Sequence, residues 1–155
     1  MTDSIIGAAL EVHRRLGPGL LESAYTECLC RELAWRGVPY RREIPLALSY
    51  RGVEVPIAAY RIDLLVADAV VVEVKAQERL IPLYQAQVLT YLRLGSYSRG
   101  LLINFGTQRL ADGIKRIVNS IHEIRHIGTW ITRLTYMCIA KPNSRPNRCG
   151  FLMAR

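Results

Sequence analysis

No apolar stretch of this 155-residue chain approaches the length of about 18 residues that a helix needs to cross a bilayer. No membrane partner is therefore expected. The first residues, Met1-Thr2-Asp3-Ser4, lack a basic region followed by an apolar one and do not read as a secretory leader. Cysteine is scarce, and Cys28, Cys30, Cys138 and Cys149 do not have zinc-finger spacing. They read as reduced thiols of a cytoplasmic protein. Only three histidines occur, His13, His122 and His126. The last two stand four apart, as zinc pairs do, but no third ligand stands near them. There is no phosphate-binding GxxxxGK[ST] loop, no GxGxxG and no support for a nucleophile-base-acid triad. Internal repeats and low-complexity segments are absent as well.

What is present is the material of one compact domain. Half of the residues are hydrophobic and 22% are charged, a globular composition. The net charge of +8 is unevenly spread: residues 1–120 carry 15 Lys/Arg against 12 Asp/Glu, and residues 121–155 carry 6 against 1. A basic balance favours a polyanionic partner such as nucleic acid. Most of the excess lies beyond residue 120, so it says little about the core.

Apolar residues at helical spacing predict a helix over 4–16, with Asp3 or Ser4 as N-cap. Gly17-Pro18-Gly19 breaks it. A second helix is predicted over 20–35, with Leu21, Tyr25, Leu29 and Leu33 as its buried stripe and Gly37 beyond its end. Strands are predicted over 44–50, 53–59, 60–66 and 70–76, with Arg51-Gly52 as a turn. Pro82 opens a third helix that Gly95 closes. Residues 100–105 read as a buried strand, and 114–118 as a last strand or a short helix, with strand preferred. Helices, then a meander of strands, then a helix and a strand imply an α/β sandwich. Residues 1–119 form the expected domain, and 120–155 an appended basic extension, flexible at its terminus.

The chemistry-bearing pattern starts in Val70-Val71-Val72-Glu73-Val74-Lys75-Ala76. The two-residue period of a strand puts Val70, Val72, Val74 and Ala76 on one face and Val71, Glu73 and Lys75 on the other. Two charges thus share one side of a strand that otherwise belongs in a core. Burial of such charges is costly unless they are paired or bind a metal. The plain alternative is an edge-strand ion pair facing water. Asp63 lies on the preceding strand. A three-residue link would oppose it to Glu73, with β-carbons about 5 Å apart. A two-residue link would oppose it to Val72 and separate the carboxylates. Two carboxylates at that distance repel unless a proton or cation lies between them, and a hard divalent cation suits oxygen ligands.

Asp63, a nine-residue gap and Glu73-Val74-Lys75 resemble the signature of PD-(D/E)XK nucleases. Gln87-Val88-Leu89-Thr90-Tyr91 resembles the QxxxY motif of the exonuclease-like branch of that superfamily. Gly19-Leu20-Leu21-Glu22-Ser23-Ala24-Tyr25 is similar to the pattern of the GxxExxY protein family, as are Arg61–Val66, Ala86–Leu89 and Leu101–Gly106. The resemblance covers residues 4–119. It implies a restriction-endonuclease-like core, with a mixed central β-sheet flanked by helices, and hydrolysis of phosphodiester bonds in nucleic acid, DNA first. It further implies Mg or Mn held by Glu22, Asp63, Glu73 and the Val74 carbonyl. Lys75 would be the catalytic lysine, with Gln87 and Tyr91 lining the site. Ala59 departs from the pattern, which carries glycine there.

Each residue also has an ordinary reading. Glu22 can be a solvated helical carboxylate, Tyr25 and Tyr91 can be packing, and Gln87 can cap a strand end. Arg14, Arg15, Arg41, Arg42, Arg61 and Arg79 are scattered and read one by one as surface charge. A binding or interaction protein on the same fold, without catalysis, is the competing reading. Oligomeric state is not legible.

Overall fold

The computed structural model describes residues 1–55 and 60–120. Helices α1 (Thr2–Leu16) and α2 (Glu22–Trp35) are followed by strands β1 (Tyr40–Pro45), β2 (Leu48–Tyr50), β3 (Val53–Val55), β4 (Arg61–Val66) and β5 (Val70–Lys75). Helix α3 (Pro82–Leu94), strand β6 (Arg99–Asn104), a short 3-10 turn (Leu110–Gly113) and strand β7 (Ile114–Val118) complete the described chain. Five strands form one sheet in the order β1-β4-β5-β6-β7, and β2 and β3 form a separate hairpin. All neighbours in the large sheet are antiparallel except β5 and β6. A parallel pair requires a crossover, and α3 supplies it.

The sheet is mixed and covered on both faces. Val70, Val72 and Val74 of β5 pack with Leu64, Val66, Leu101 and Ile103 beneath α1 and α2. Val71, Leu65 and Leu102 face the other way and pack against Val88, Tyr91 and Leu92 of α3. The period-two reading of β5 therefore holds.

Several boundaries differ from expectation. The strand expected over 44–50 is two strands. β1 starts at Tyr40 and ends at Pro45, which has no N–H to continue a ladder. Leu46 then turns into the second core, its N–H bonded to the Tyr60 carbonyl. Neither Asp3 nor Ser4 caps α1, because the helix already begins at Thr2; Asp3 instead sits in the first turn and pairs with Arg116. Leu21 is not in the buried stripe of α2. It precedes the helix and is 77% exposed, whereas Tyr25, Leu29 and Leu33 are buried. The 3-10 turn was not expected. Residues 56–59 and 121–155, with Ala59, His122, His126, Cys138 and Cys149, lie outside the described residues.

Candidate active site

Strands β4 and β5 leave a three-residue link, with Val66 opposite Val70, Leu65 opposite Val71 and Leu64 opposite Val72. Ala67 and Asp68 take left-handed φ of 49° and 51°, as a tight hairpin turn requires. The register places Asp63 opposite Glu73, and there the ladder stops. In place of a strand-to-strand bond, Asp63 Oδ2 accepts the Val74 N–H at 2.9 Å. On the other side of β4 the ladder with β1 skips the pair of Glu43 and Asp63, and Glu43 has φ 51°. A non-glycine residue there costs of order 1 kcal/mol, a strain typical of functional sites. The sheet thus forks at Asp63.

Glu73 lies in the fork on the α3 face of β5 and is 1% exposed. Lys75 follows on the same face, and its Nζ donates to Glu73 Oε1 at 2.6 Å. The same Nζ lies 3.7 Å from Oε1 of Glu22, the first residue of α2. It also sits 5.5 Å from the centroid of the Tyr84 ring, in the first turn of α3. The Glu22 side chain is 40% exposed and that of Lys75 12%, so the site runs from open rim to closed floor. Gln87 and Tyr91 are joined by a bond from Nε2 to the phenol oxygen at 2.6 Å. The described bond of Gln87 thus runs to the next turn of its own helix.

The electrostatics are those of a site short of positive charge. Burial pushes the Glu73 carboxyl up to about 7, and the neighbouring Asp63 charge pushes the same way, against the Lys75 hydrogen bond. Burial also raises Asp63, which the Val74 N–H and the Lys75 charge only partly offset. Burial lowers Lys75, but the Glu73 bond and the charges of Glu73, Glu22 and Asp63 outweigh it and hold the ammonium form. Tyr91 is raised by burial first, against the Gln87 bond, with the charges of Glu73 and Asp63 adding to the rise.

One atom carries a further message. Glu73 Oε2 is buried and has no hydrogen-bond partner among the described residues. A buried carboxylate oxygen without a partner is costly. An oxygen donor of this kind, beside a second carboxylate and a rim carboxylate, fits a hard divalent cation. The carboxylates are not closed around such an ion as they stand. Among the described residues no group of three or more His, Cys, Asp or Glu side chains forms a ready cluster, and Lys75 bridges Glu22 and Glu73.

Beside the fork a cleft of about 190 Å³ is lined by Glu22, Ser23, Thr26, Arg42, Glu43 and Asp63. A larger, mostly apolar groove of about 400 Å³ runs along α1 and α2 past Val12, Leu16 and Trp35. It holds none of the fork carboxylates. Five of the six arginines noted from sequence are already paired: Arg14 and Arg15 with Glu11, Arg41 with Asp68, Arg42 with Glu27 and Arg61 with Glu43.

Sequence reasoning gave no role to four residues here. Asn104 is fully buried at the end of β6; its Oδ1 accepts the N–H of Gln77 and of Gly106, and its Nδ2 donates to the Gln77 carbonyl. This bond set anchors the chain just after Lys75. A lone amide inside the apolar run 101–105 was the available signal. Gly106 lies so close to this segment that a Cβ would meet the Gln77 carbonyl oxygen at 2.3 Å. Tyr84 and Glu43 had no signal in sequence, since only the packing of α3 and the fork itself bring them in.

A family model of the PD-(D/E)XK nuclease superfamily matches residues 1–117. No curated protein and no solved structure matches the chain. The mixed sheet flanked by helices is the restriction-endonuclease-like α/β core of that superfamily. With the model spanning most of the chain and the Asp63, Glu73 and Lys75 pattern gathered at one fork, the chain belongs to the PD-(D/E)XK nuclease superfamily.

Proposed function

We propose that the chain is a metal-dependent nuclease of the GxxExxY type that hydrolyses phosphodiester bonds of nucleic acid, with DNA as the first substrate to test. The observation that carries this reading is the buried, unpartnered Glu73 Oε2 beside Asp63, at the break of the sheet. Asp63 and Glu73 are the proposed central ligands of Mg or Mn, Glu22 the rim ligand and the Val74 carbonyl a further donor. When bound, the ion supplies charge stabilisation at the phosphoryl oxygen and a more acidic water.

The chain's own groups do the rest. Lys75, held as an ammonium at the floor of the site, presents positive charge to a phosphoryl group on which negative charge develops. Asp63 is kept in place by the Val74 N–H, so that its other oxygen stays available. Tyr91 and Gln87, bonded to each other, line a neighbouring cavity of about 370 Å³ on the α3 side. No helix among the described residues is long and apolar enough to cross a membrane. A cytoplasmic location fits a nucleic-acid substrate and is part of the proposal.

The test incubates the full chain with labelled single- and double-stranded DNA and RNA in Mg²⁺, Mn²⁺ or EDTA, beside Glu73→Ala and Lys75→Ala. Cleavage that requires metal and disappears in both variants is expected. Binding of nucleic acid by all three proteins without cleavage would replace this reading with a non-catalytic binding protein on the same fold.

A further inference from the structure

Glu22 reaches the acidic fork from α2, and the device that holds it there lies one helical turn further on. The Tyr25 ring is fully buried and stacks on Phe105, with 4.6 Å between centroids and 10° between planes. The Tyr25 hydroxyl donates to the Gly17 carbonyl at 2.6 Å and accepts the Leu20 N–H at 3.1 Å. Both partners belong to the link between α1 and α2, where Gly17 and Gly19 take left-handed φ of 66° and 110°. Backbone of that kind is conformationally permissive. α2 also starts with no side-chain cap, so its first turn is not fixed by the usual means. On the far side of the stack, the Phe105 N–H donates to the Lys75 carbonyl at 2.7 Å. One path of contact therefore runs from the link and Glu22 through Tyr25 and Phe105 to Lys75.

We infer that Tyr25 is a positioning residue that holds Glu22 at the fork. Its ring sets the distance between α2 and the end of β5, and its hydroxyl fixes the link that delivers Glu22. A tyrosine that only filled the core would be satisfied by one hydrogen-bond partner anywhere nearby. Here the hydroxyl closes two bonds on the same five-residue link, both aimed at the start of the helix that carries Glu22. This inference rests on the fork being the working site, but its geometry can be read without catalysis.

The test uses the full chain and Tyr25→Phe, which keeps the ring and removes the hydroxyl. In metal-free protein a carbodiimide joins neighbouring carboxylates and amines without a spacer, and mass spectrometry compares the Glu22–Lys75 link with the Glu73–Lys75 link. The ratio is expected to fall in Tyr25→Phe, because only Glu22 loses its support. Mn²⁺ affinity, measured where the variant is fully folded, is expected to weaken about tenfold. In a Glu22→Gln background the same change is expected to have no further effect on Mn²⁺. Phe105→Leu removes the stack and keeps the hydroxyl, giving a second reading of the same ratio. An unchanged link ratio in folded Tyr25→Phe, or an equal loss of Mn²⁺ affinity with and without Glu22, would overturn the inference. Absence of cleavage by the wild-type chain would refute the nuclease reading alone, since the link ratio still decides what Tyr25 does.

Discussion

Glu73 should make the metal-free protein less stable as the solution becomes less acidic. Its carboxyl is buried, one oxygen has no partner, and its pKa is raised from 4.5 to about 7 by burial and then by Asp63. The folded state therefore holds the proton more tightly than the unfolded one. A group of this sign gives its full stabilisation below about pH 4.5 and loses it as pH rises through about 7. The displacement corresponds to roughly 3 kcal/mol. Asp63 is shifted in the same direction and adds to the slope. The assay is urea unfolding in EDTA from about pH 4 to about pH 8, for wild type and Glu73→Gln. A glutamine costs a constant amount at every pH, so the slope and not the absolute stability carries the answer. Wild type should lose on the order of 3 kcal/mol across the window, and Glu73→Gln should lose far less. Equal slopes in the two proteins would refute the reasoning that burial and the Asp63 charge outweigh the Lys75 bond at Glu73.

Other consequences follow from the same geometry. A saturating divalent cation at about pH 8 should restore wild-type stability by RT ln(1 + [L]/Kd), about 2.7 kcal/mol at one hundred times Kd; thermal melts should show no such gain in Glu73→Gln. Lys75→Ala should slow cleavage by about 10²–10³ in single-turnover assays, while nucleic-acid binding in filter assays changes little. Asn104→Ala should destabilise by roughly 2–4 kcal/mol in denaturant melts, because three backbone groups of Gln77 and Gly106 lose their partner in a buried position. Gly106→Ala should destabilise comparably, since the Gln77 backbone must move away from the new methyl group.

Much of the fold was legible because it follows from periodicity. The valines of β5 alternate with Val71, Glu73 and Lys75, and the sheet buries the two sets on opposite faces as that spacing demands. The link after β4 was the undecided point. Its three residues, two of them at left-handed φ, set the register that opposes Asp63 to Glu73. What sequence could not supply was long-range placement. Pro45 could have shortened the strand expected over 44–50, yet the turn there depends on Leu46 finding a place in the second core. Leu21 continued a helical period in sequence, but the helix starts one residue later and leaves it in water. In the site, Asp63, Glu73 and Lys75 could be found because strand geometry relates them directly. Tyr84 acts through a contact with Lys75 of another element, and no local pattern announces it. The Gln77 partners of Asn104 lie 27 residues away, so its lone amide in an apolar run could not name them.

The most direct test of the central claim is calorimetric titration of Mn²⁺ into the metal-free chain, with Asp63→Asn and Glu73→Gln alongside. Saturable binding by wild type that is lost in both variants is the predicted result. Absence of binding, or binding that survives both substitutions, would contradict the assignment of the fork as a metal-dependent nuclease site.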